Sequence, residues 1–358
     1  MIDIFDHFYK GKRVLVTGHT GFEGSWLSIW LHELGAEVIG IGLDPQTERD
    51  NFVLSGIGNK ISADVREDIR HGEKMKELFS LYQPEIVFHL AAQPLVRLSY
   101  EIPVETYEVN VMGTINIMEA IRATGSVKVG VMITTDKCYD NNEQLDGYVE
   151  TDPFGGYDPY SSSKGACEVA IQSWRRSFFN PQDYGKKHTV SLASVRAGNV
   201  IGGGDWSADR IIPDCIRALE SGSPVDIRSP KSVRPWEHVL EPLSGYMLLA
   251  KKMYDTPPRY CEGWNFGPEA ESVSTVWDVA SALIRCYGHG ELRDISSPDS
   301  LHEAKLLMLN IEKAKTLLGW KPRMDFHKTI ELVADWYKRY RSEDVYQLCV
   351  EEIENFVN

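Results

Sequence analysis

Basic charge is scarce in this chain. Against 52 Asp and Glu residues stand 38 Lys and Arg, a formal net charge of −14 over 358 residues. Proteins that hold nucleic acid neutralise phosphates with basic patches, so a general nucleic-acid binder is excluded. Any anionic substrate must therefore meet arginines placed locally. The six cysteines, Cys138, Cys167, Cys215, Cys261, Cys286 and Cys349, contain no C-x-x-C pair, which argues against a zinc ribbon and a disulfide framework. Reduced and mostly buried thiols are expected. The ten histidines show no H-x-x-x-H or similar spacing, so no metal is expected. There is no run of 18 apolar residues, and the opening Met1-Ile2-Asp3-Ile4-Phe5-Asp6 is amphipathic and acidic. A soluble cytoplasmic protein with no membrane partner is the expectation. Repeats, low-complexity tracts and long linkers are missing as well. With 42% hydrophobic residues, a chain this long can bury a large core and exceeds one typical domain.

What is present is a glycine turn in a telling place. Lys12-Arg13-Val14-Leu15-Val16 reads as a strand, Thr17-Gly18-His19-Thr20-Gly21-Phe22-Glu23-Gly24 as a turn, and Ser25-Trp26-Leu27-Ser28-Ile29-Trp30-Leu31 as a helix. Gly18, Gly21 and Gly24 allow a tight turn, close approach of a pyrophosphate and close helix packing, while the helix end offers free N–H groups. A second strand, Glu37 to Leu43, ends at Asp44, twenty residues after Gly24, where a carboxylate can accept from an adenosine ribose. Glu23 adds negative charge where a 2′-phosphate would need a base. Both favour NAD over NADP, tempered by Arg49 nearby. Further strands run from Pro84 to Leu90, opening onto Ala91-Ala92-Gln93, from Val127 to Ile133, delivering Thr134-Thr135-Asp136-Lys137, and from Thr189 to Val195. Alternating strands and helices imply an α/β fold with a Rossmann-like, doubly wound parallel sheet. After Gly202-Gly203-Gly204-Asp205 the alternation loosens. This reads as a smaller, interleaved, mixed α/β substrate lobe, residues 199–231 and 268–358, beside a cofactor domain of residues 1–198 with 232–267 returning to it.

Two groups of residues carry chemistry. Tyr160 follows Pro159, and Lys164 lies four positions on, so in a helix opened by Pro159 the two share a face. A nearby ammonium favours phenolate, which lets Tyr160 remove a hydroxyl proton. Asp136 and Lys137, at the carboxyl edge of the sheet, can supply a second acid/base pair. Lys137 acts as a base only with a depressed pKa. Burial or Lys164 would depress it, whereas a charge pair with Asp136 would oppose this; the residues alone leave both open. Arg234 can clamp a pyrophosphate through its planar fork, with Arg210 and Asn199 as further substrate candidates. Trp206, Trp236 and Trp264 either stack on a base or fill core.

The order T-G-x-x-G-F-x-G, H-L-A-A-Q, T-D-K, Y-x-x-x-K, R-A-G-N-V and R-P-W resembles the extended short-chain dehydrogenase/reductase family, specifically its nucleotide-sugar 4,6-dehydratases. Lys137 after Thr135-Asp136, and Arg234 through Pro242, make the likeness greatest to the branch acting on CDP-glucose; dehydratases of dTDP-glucose or GDP-mannose usually carry Glu at the place of Lys137. The resemblance implies a nucleotide-hexose substrate, a tightly bound NAD, and a homodimer through the segments Pro103 to Ala120 and Ser161 to Ser173. It implies that Thr135, Tyr160 and Lys164 serve oxidation at C4. Asp136 would be the acid at O6 and Lys137 the base at C5. Thr20, Phe22, Asp64, Val65, Leu90, Ala91, Ala92, Asn110 and Thr134 would join the cofactor site, and Gln93 the substrate site. A nucleotide-sugar 4-epimerase would share Tyr160 and Lys164 without needing Asp136-Lys137. A non-catalytic NAD sensor would need neither.

Overall fold

The computed structural model describes residues 3–269, 272–297 and 306–358. Its frame is a parallel sheet of seven strands: β1 (Arg13–Thr17), β2 (Glu37–Gly42), β3 (Ala63–Arg66), β4 (Ile86–His89), β5 (Val129–Ile133), β6 (Ser191–Ala197) and, from late in the chain, β11 (Gly263–Phe266). They lie in the order β11-β6-β5-β4-β1-β2-β3. The order reverses between β1 and β4, the switch point where open α/β sheets bind ligands beyond their carboxyl ends. Strands buried on both faces read as continuous apolar runs. Neighbouring side chains then go to opposite cores. Val14, Val16, Phe88 and Val131 face one core, and Leu15, Val87 and Met132 face the other.

The first core is covered by α1 (Phe22–Glu33) and α9 (Leu240–Asp255), the second by α3 (Gly72–Tyr82), α6 (Gly113–Ala123) and α7 (Pro159–Ser177). The helical segment expected from Pro103 to Ala120 is interrupted. A short α5 (Pro103–Tyr107) passes through a π-turn at Glu108–Met112 before α6 begins, and the π-turn presents Asn110 inward, as described below. Three short strand pairs lie outside the sheet: β7 (Asn199–Ile201) with β10 (Trp236–His238), β8 (Val225–Ile227) with β13 (Leu292–Asp294), and β9 (Val233–Arg234) with β12 (Ser274–Thr275). With α8 (Ile211–Ser221) and α10 (Val276–Tyr287) they build the second wall of the cleft. A C-terminal helix at Val345–Val357 returns to the first unit of the fold. There Phe356 meets Trp30 edge-on at 5.7 Å, and Tyr346 hydrogen-bonds Glu33. Among the described residues no helix is long and apolar enough to cross a membrane.

Candidate active site

The turn after β1 is a backbone cradle. Gly18 has φ +74°, and a Cβ there would lie 2.8 Å from the Ala91 nitrogen; a Cβ on Gly24 would lie 2.1 Å from the Gly18 carbonyl oxygen. Gly21 precedes α1 without a side chain to cap it, so first-turn N–H groups stay available to an anion. Thr17 holds the two strand ends together. Its Oγ1 accepts from the Ala91 nitrogen at 3.2 Å and meets His89 Nδ1 at 2.7 Å, while His89 Nε2 meets Thr114 at 3.0 Å. Burial, with Lys164 nearby, brings the His89 pKa down to about 3, so this link is neutral. The cradle opens into a cavity of about 1120 Å³, above the usual size for one small ligand. Its helix end and small residues fit the pyrophosphate of a dinucleotide.

At the outer end of the cleft the charge pattern departs from expectation. Asp44 is 86% exposed and pairs with Arg66 Nε at 3.1 Å. Arg66 is also bound to Asp64, whose Oδ1 meets His19 Nε2 at 2.7 Å. The pairing of β2 with β3 sets Arg66 opposite Gly42, two residues before Asp44. That register is the signal through which Arg66 could have been found. Arg49, expected to temper NAD preference, instead lies over the Trp206 ring at 3.4 Å and bonds Glu220 at 2.6 Å. Glu23 is not at the ribose end either. Burial raises its pKa to about 6, opposed by Arg210 and then Lys164, which places it toward those two cations.

Four expected ligand contacts lie off the cleft wall. Asp64, Val65, Gln93 and Asn110 are not among the residues that line the cavity. Asn110 Oδ1 accepts from the Gln93 nitrogen at 2.8 Å, and its Nδ2 donates to the Gln93 carbonyl at 3.1 Å and to Ser163 at 2.9 Å. The Gln93 amide donates to Thr106 at 3.0 Å and to the Leu95 carbonyl at 3.2 Å. These side chains clamp the end of β4 to α7, and sequence cannot separate a clamp from a ligand contact.

Beyond β5 the chain forms a strap. Thr134 is anchored below, donating to Glu168 Oε1 at 2.6 Å, and Thr135 starts one turn of 3₁₀ helix at Asp136–Cys138. Within that turn Lys137 points to the cleft while Asp136 turns inward, with 0% exposure, and does not line the cavity. Asp136 Oδ1 accepts from Thr135 Oγ1 at 3.0 Å and from Lys137 Nζ at 3.2 Å, and the same Nζ donates to Asn199 at 3.4 Å. Of this pair only Lys137 lines the cavity, with Asp136 buried and hydrogen-bonded to it.

Asp158 caps α7 by accepting from the Ser161 nitrogen at 2.9 Å. That places Tyr160 and Lys164 on the helix face toward the strap, both in the cleft wall. Burial raises the Tyr160 pKa, and hydrogen bonding from Thr135 and the charge of Arg210 pull it back down. Burial lowers Lys164, whose Nζ donates to the Ile133 carbonyl at 3.3 Å. Arg210 is thus a further cation whose charge acts on Tyr160, beside Lys164 in the same wall. Arg210 pairs with Asp205 at 3.3 Å, and Arg234 and Asn199 line the same wall. Arg228, unanticipated, lines it too, bonded to Asp209 at 2.6 Å. Trp206 and Trp236 also reach the cleft, whereas Trp264 is 1% exposed in the core.

A family model described as the NAD dependent epimerase/dehydratase family matches residues 14–260. This chain belongs to that family. The CDP-glucose 4,6-dehydratase of Salmonella typhimurium, strain LT2, is 48% identical over 359 residues, covering 100% of this chain and 99% of its own. Two solved structures share the epimerase/dehydratase fold. A dTDP-glucose 4,6-dehydratase from Bacillus anthracis in complex with NAD superposes with a TM-score of 0.76 at 20% identity, over 95% of this chain and 100% of that one. A UDP-glucose 4-epimerase from Thermotoga maritima with UDP-glucose gives 0.77 at 23% identity, over 92% and 100%. The protein is an NAD-dependent enzyme of the epimerase/dehydratase family.

Proposed function

We propose that this enzyme converts CDP-D-glucose to CDP-4-dehydro-6-deoxy-D-glucose and water. The observation that carries the reading is Lys137 Nζ, set in the cleft beside Asn199 and backed by Asp136, on the same wall as Tyr160 and Lys164. A 4-epimerase has no use for that second acid/base group. The full-length likeness to a CDP-glucose 4,6-dehydratase supports the nucleotide and the hexose.

Residues 1–198 and 232–267 would carry the cofactor, and 199–231 and 268–358 the sugar nucleotide. Gly18, Gly21, Gly24, Ala91 and Ala92 would hold NAD, which when bound supplies the acceptor for the C4 hydride and its donor to C6. Tyr160, on the same cleft wall as Thr135 and Arg210, removes the O4 proton. The resulting ketone acidifies C5–H. Lys137, as the free amine, takes that proton, and Asp136, as the carboxylic acid, protonates the departing 6-hydroxyl so that it leaves as water. Arg234, Arg228 and Arg210 offset the diphosphate charge in an otherwise acidic protein. Val104, Met112 and Val169 are exposed apolar residues on or between α5, α6 and α7; they support a homodimer with an isologous interface.

Incubation with a panel of nucleotide-glucoses followed by mass spectrometry tests the reading. A product lighter by one water from CDP-glucose is expected. Conversion at unchanged mass would make the protein an epimerase.

A further inference from the structure

Beyond β7 the chain runs through segment 204–210, every residue of which lines the cavity. Its first end is tied to the stretch that follows β2. The Gly204 carbonyl accepts from the Asn51 nitrogen at 3.2 Å, and a Cβ on Gly204 would lie 2.5 Å from that of Asn51, so the two backbones touch. Two residues on, the Arg49 guanidinium lies 3.4 Å over the Trp206 ring and donates to Glu220 of α8 at 2.6 Å and to the Tyr340 hydroxyl. The far end is tied beyond β4. Asp209 accepts from Arg228 at 2.6 Å and faces Arg97 Nε at 3.7 Å, and Arg97 belongs to the short helix Val96–Glu101 that follows β4. Between the ends, the Tyr337 hydroxyl donates to the Asp205 carbonyl at 2.6 Å.

In the sheet β2 and β4 lie on either side of β1, and the glycine turn follows β1. Segment 204–210 therefore spans from the β2 side to the β4 side across the mouth of the glycine cradle, fastened at both ends. We propose that it is a crossbar that holds the dinucleotide in the cradle between turnovers, and that Arg49 is the positioning residue that fastens it. The inference rests on the NAD site and does not need the sugar nucleotide to be CDP-glucose.

Two further observations shape the proposal. Trp206 is 7% exposed, lines the cavity and has a buried indole N–H without a partner, so the stacked ring offers the cleft a free donor for an oxygen-rich ligand. Arg49 does not line the cavity, and the groups that hold it are all the protein's own. Losing it should therefore weaken no contact with the dinucleotide. It should instead lower the barrier to passage in both directions, as loosening a closed loop does.

Uptake of radiolabelled NAD by cofactor-stripped enzyme, and its release into excess unlabelled NAD, give the two rates. Arg49→Ala is expected to raise both by about tenfold, the factor that corresponds to losing a desolvated stacked cation, while Kd stays within about threefold of the wild type. Arg49→Lys keeps the charge without the planar fork and should restore only part of the slowing. Arg97→Ala opens a more exposed pair and should raise both rates by no more than about fivefold. Arg341 bonds Glu220 at 3.0 Å and Tyr340 at 2.8 Å without reaching the bar, so Arg341→Ala should keep the wild-type rates. Glu220→Gln, which loosens the Arg49 guanidinium, carries the test if Arg49→Ala does not fold. Unchanged rates in Arg49→Ala would overturn the crossbar, and so would faster release without faster uptake, which would make Arg49 a residue that holds the ligand directly. Failure of the wild type to release water from CDP-glucose would instead overturn the dehydratase reading and leave the crossbar standing.

Discussion

Replacing Glu168 by Gln strikes the anchor beneath the catalytic strap. The Glu168 carboxylate is 0% exposed and Arg196 is 1% exposed. It accepts from Thr134 Oγ1 at 2.6 Å, from Ser194 Oγ at 2.8 Å, and from Arg196 Nε and Nη2, each at 2.9 Å. Gln is nearly isosteric, but it turns one of these acceptors into a donor and leaves the guanidinium buried without a counter-charge. Breaking a buried pair in this way costs about 3–5 kcal/mol, a large share of the roughly 5–15 kcal/mol that holds a domain folded. Urea unfolding at pH 7, followed by tryptophan fluorescence, measures it. Replacing both partners, as Glu168→Leu with Arg196→Met, should recover much of the loss, because no uncompensated charge remains. Acid supplies a second check. Burial pushes the Glu168 pKa up, but Arg196 and the hydroxyl donors outweigh it and hold the group below its ordinary value. Its contribution is therefore present above the unfolded pKa of ~4.3 and is lost as the pH falls through the folded one, so the wild-type and Gln stabilities should converge on acidification. A loss under 1 kcal/mol at pH 7, or wild-type and Gln curves that stay parallel into acid, would refute this account of the anchor.

Other outcomes follow from the same geometry. Tyr160→Phe should block C4 oxidation and give no absorbance from reduced nicotinamide, whereas Lys137→Ala should allow oxidation and stall before water loss, trapping a 4-keto-hexose; full turnover by the Lys137 variant would remove that lysine from the chemistry. Arg66→Ala leaves Asp44 without its cation and should widen the preference for NAD over NADP by about 1 kcal/mol, roughly fivefold; calorimetry giving the same ratio for both proteins would contradict it. Burial brings the Glu241 pKa up to about 7, opposed by the amides of Arg323 and Met324. An acid with a folded pKa above its unfolded one is most stabilising below the unfolded value and loses that contribution as the pH rises through about 7. Glu241→Gln should therefore flatten stability between pH 5 and 8, and a curve as steep as the wild type's would show that another group sets it.

The strands were legible because burial on both faces of the sheet writes long apolar runs, and the glycine turn because only a bare backbone fits against Ala91. Tyr160 and Lys164 were legible because Pro159 and Asp158 announce a helix start. Side-chain direction was not. Lys137 and Asp136 are adjacent in sequence, yet one turn of 3₁₀ helix sends one into the cleft and buries the other. Glu23 sits within the glycine turn, but α1 carries it toward Arg210 instead of the ribose. Gln93 and Asn110 have the chemistry of ligand contacts and are occupied with each other. Arg66 and Arg228 enter through strand register and loop placement, which single-chain periodicity does not encode.

The helix at Val345–Val357 packs on the helix that follows the glycine turn, and β11 at Gly263–Phe266 fills one edge of the sheet. On the ribosome, where chains emerge from the amino end at ~5–20 residues per second, the seven-stranded sheet of this enzyme is not complete when strands β1 to β6 have been made. It waits for one strand about seventy residues later and for a helix some eighty residues beyond that. Until they arrive, Trp30 and the β6 edge are apolar surface and unpaired backbone, open to other chains. The vulnerability of this protein to misassembly lies in synthesis, and a tag or truncation that delays the arrival of residues 345–357 should lower soluble yield before it alters any property of the folded enzyme.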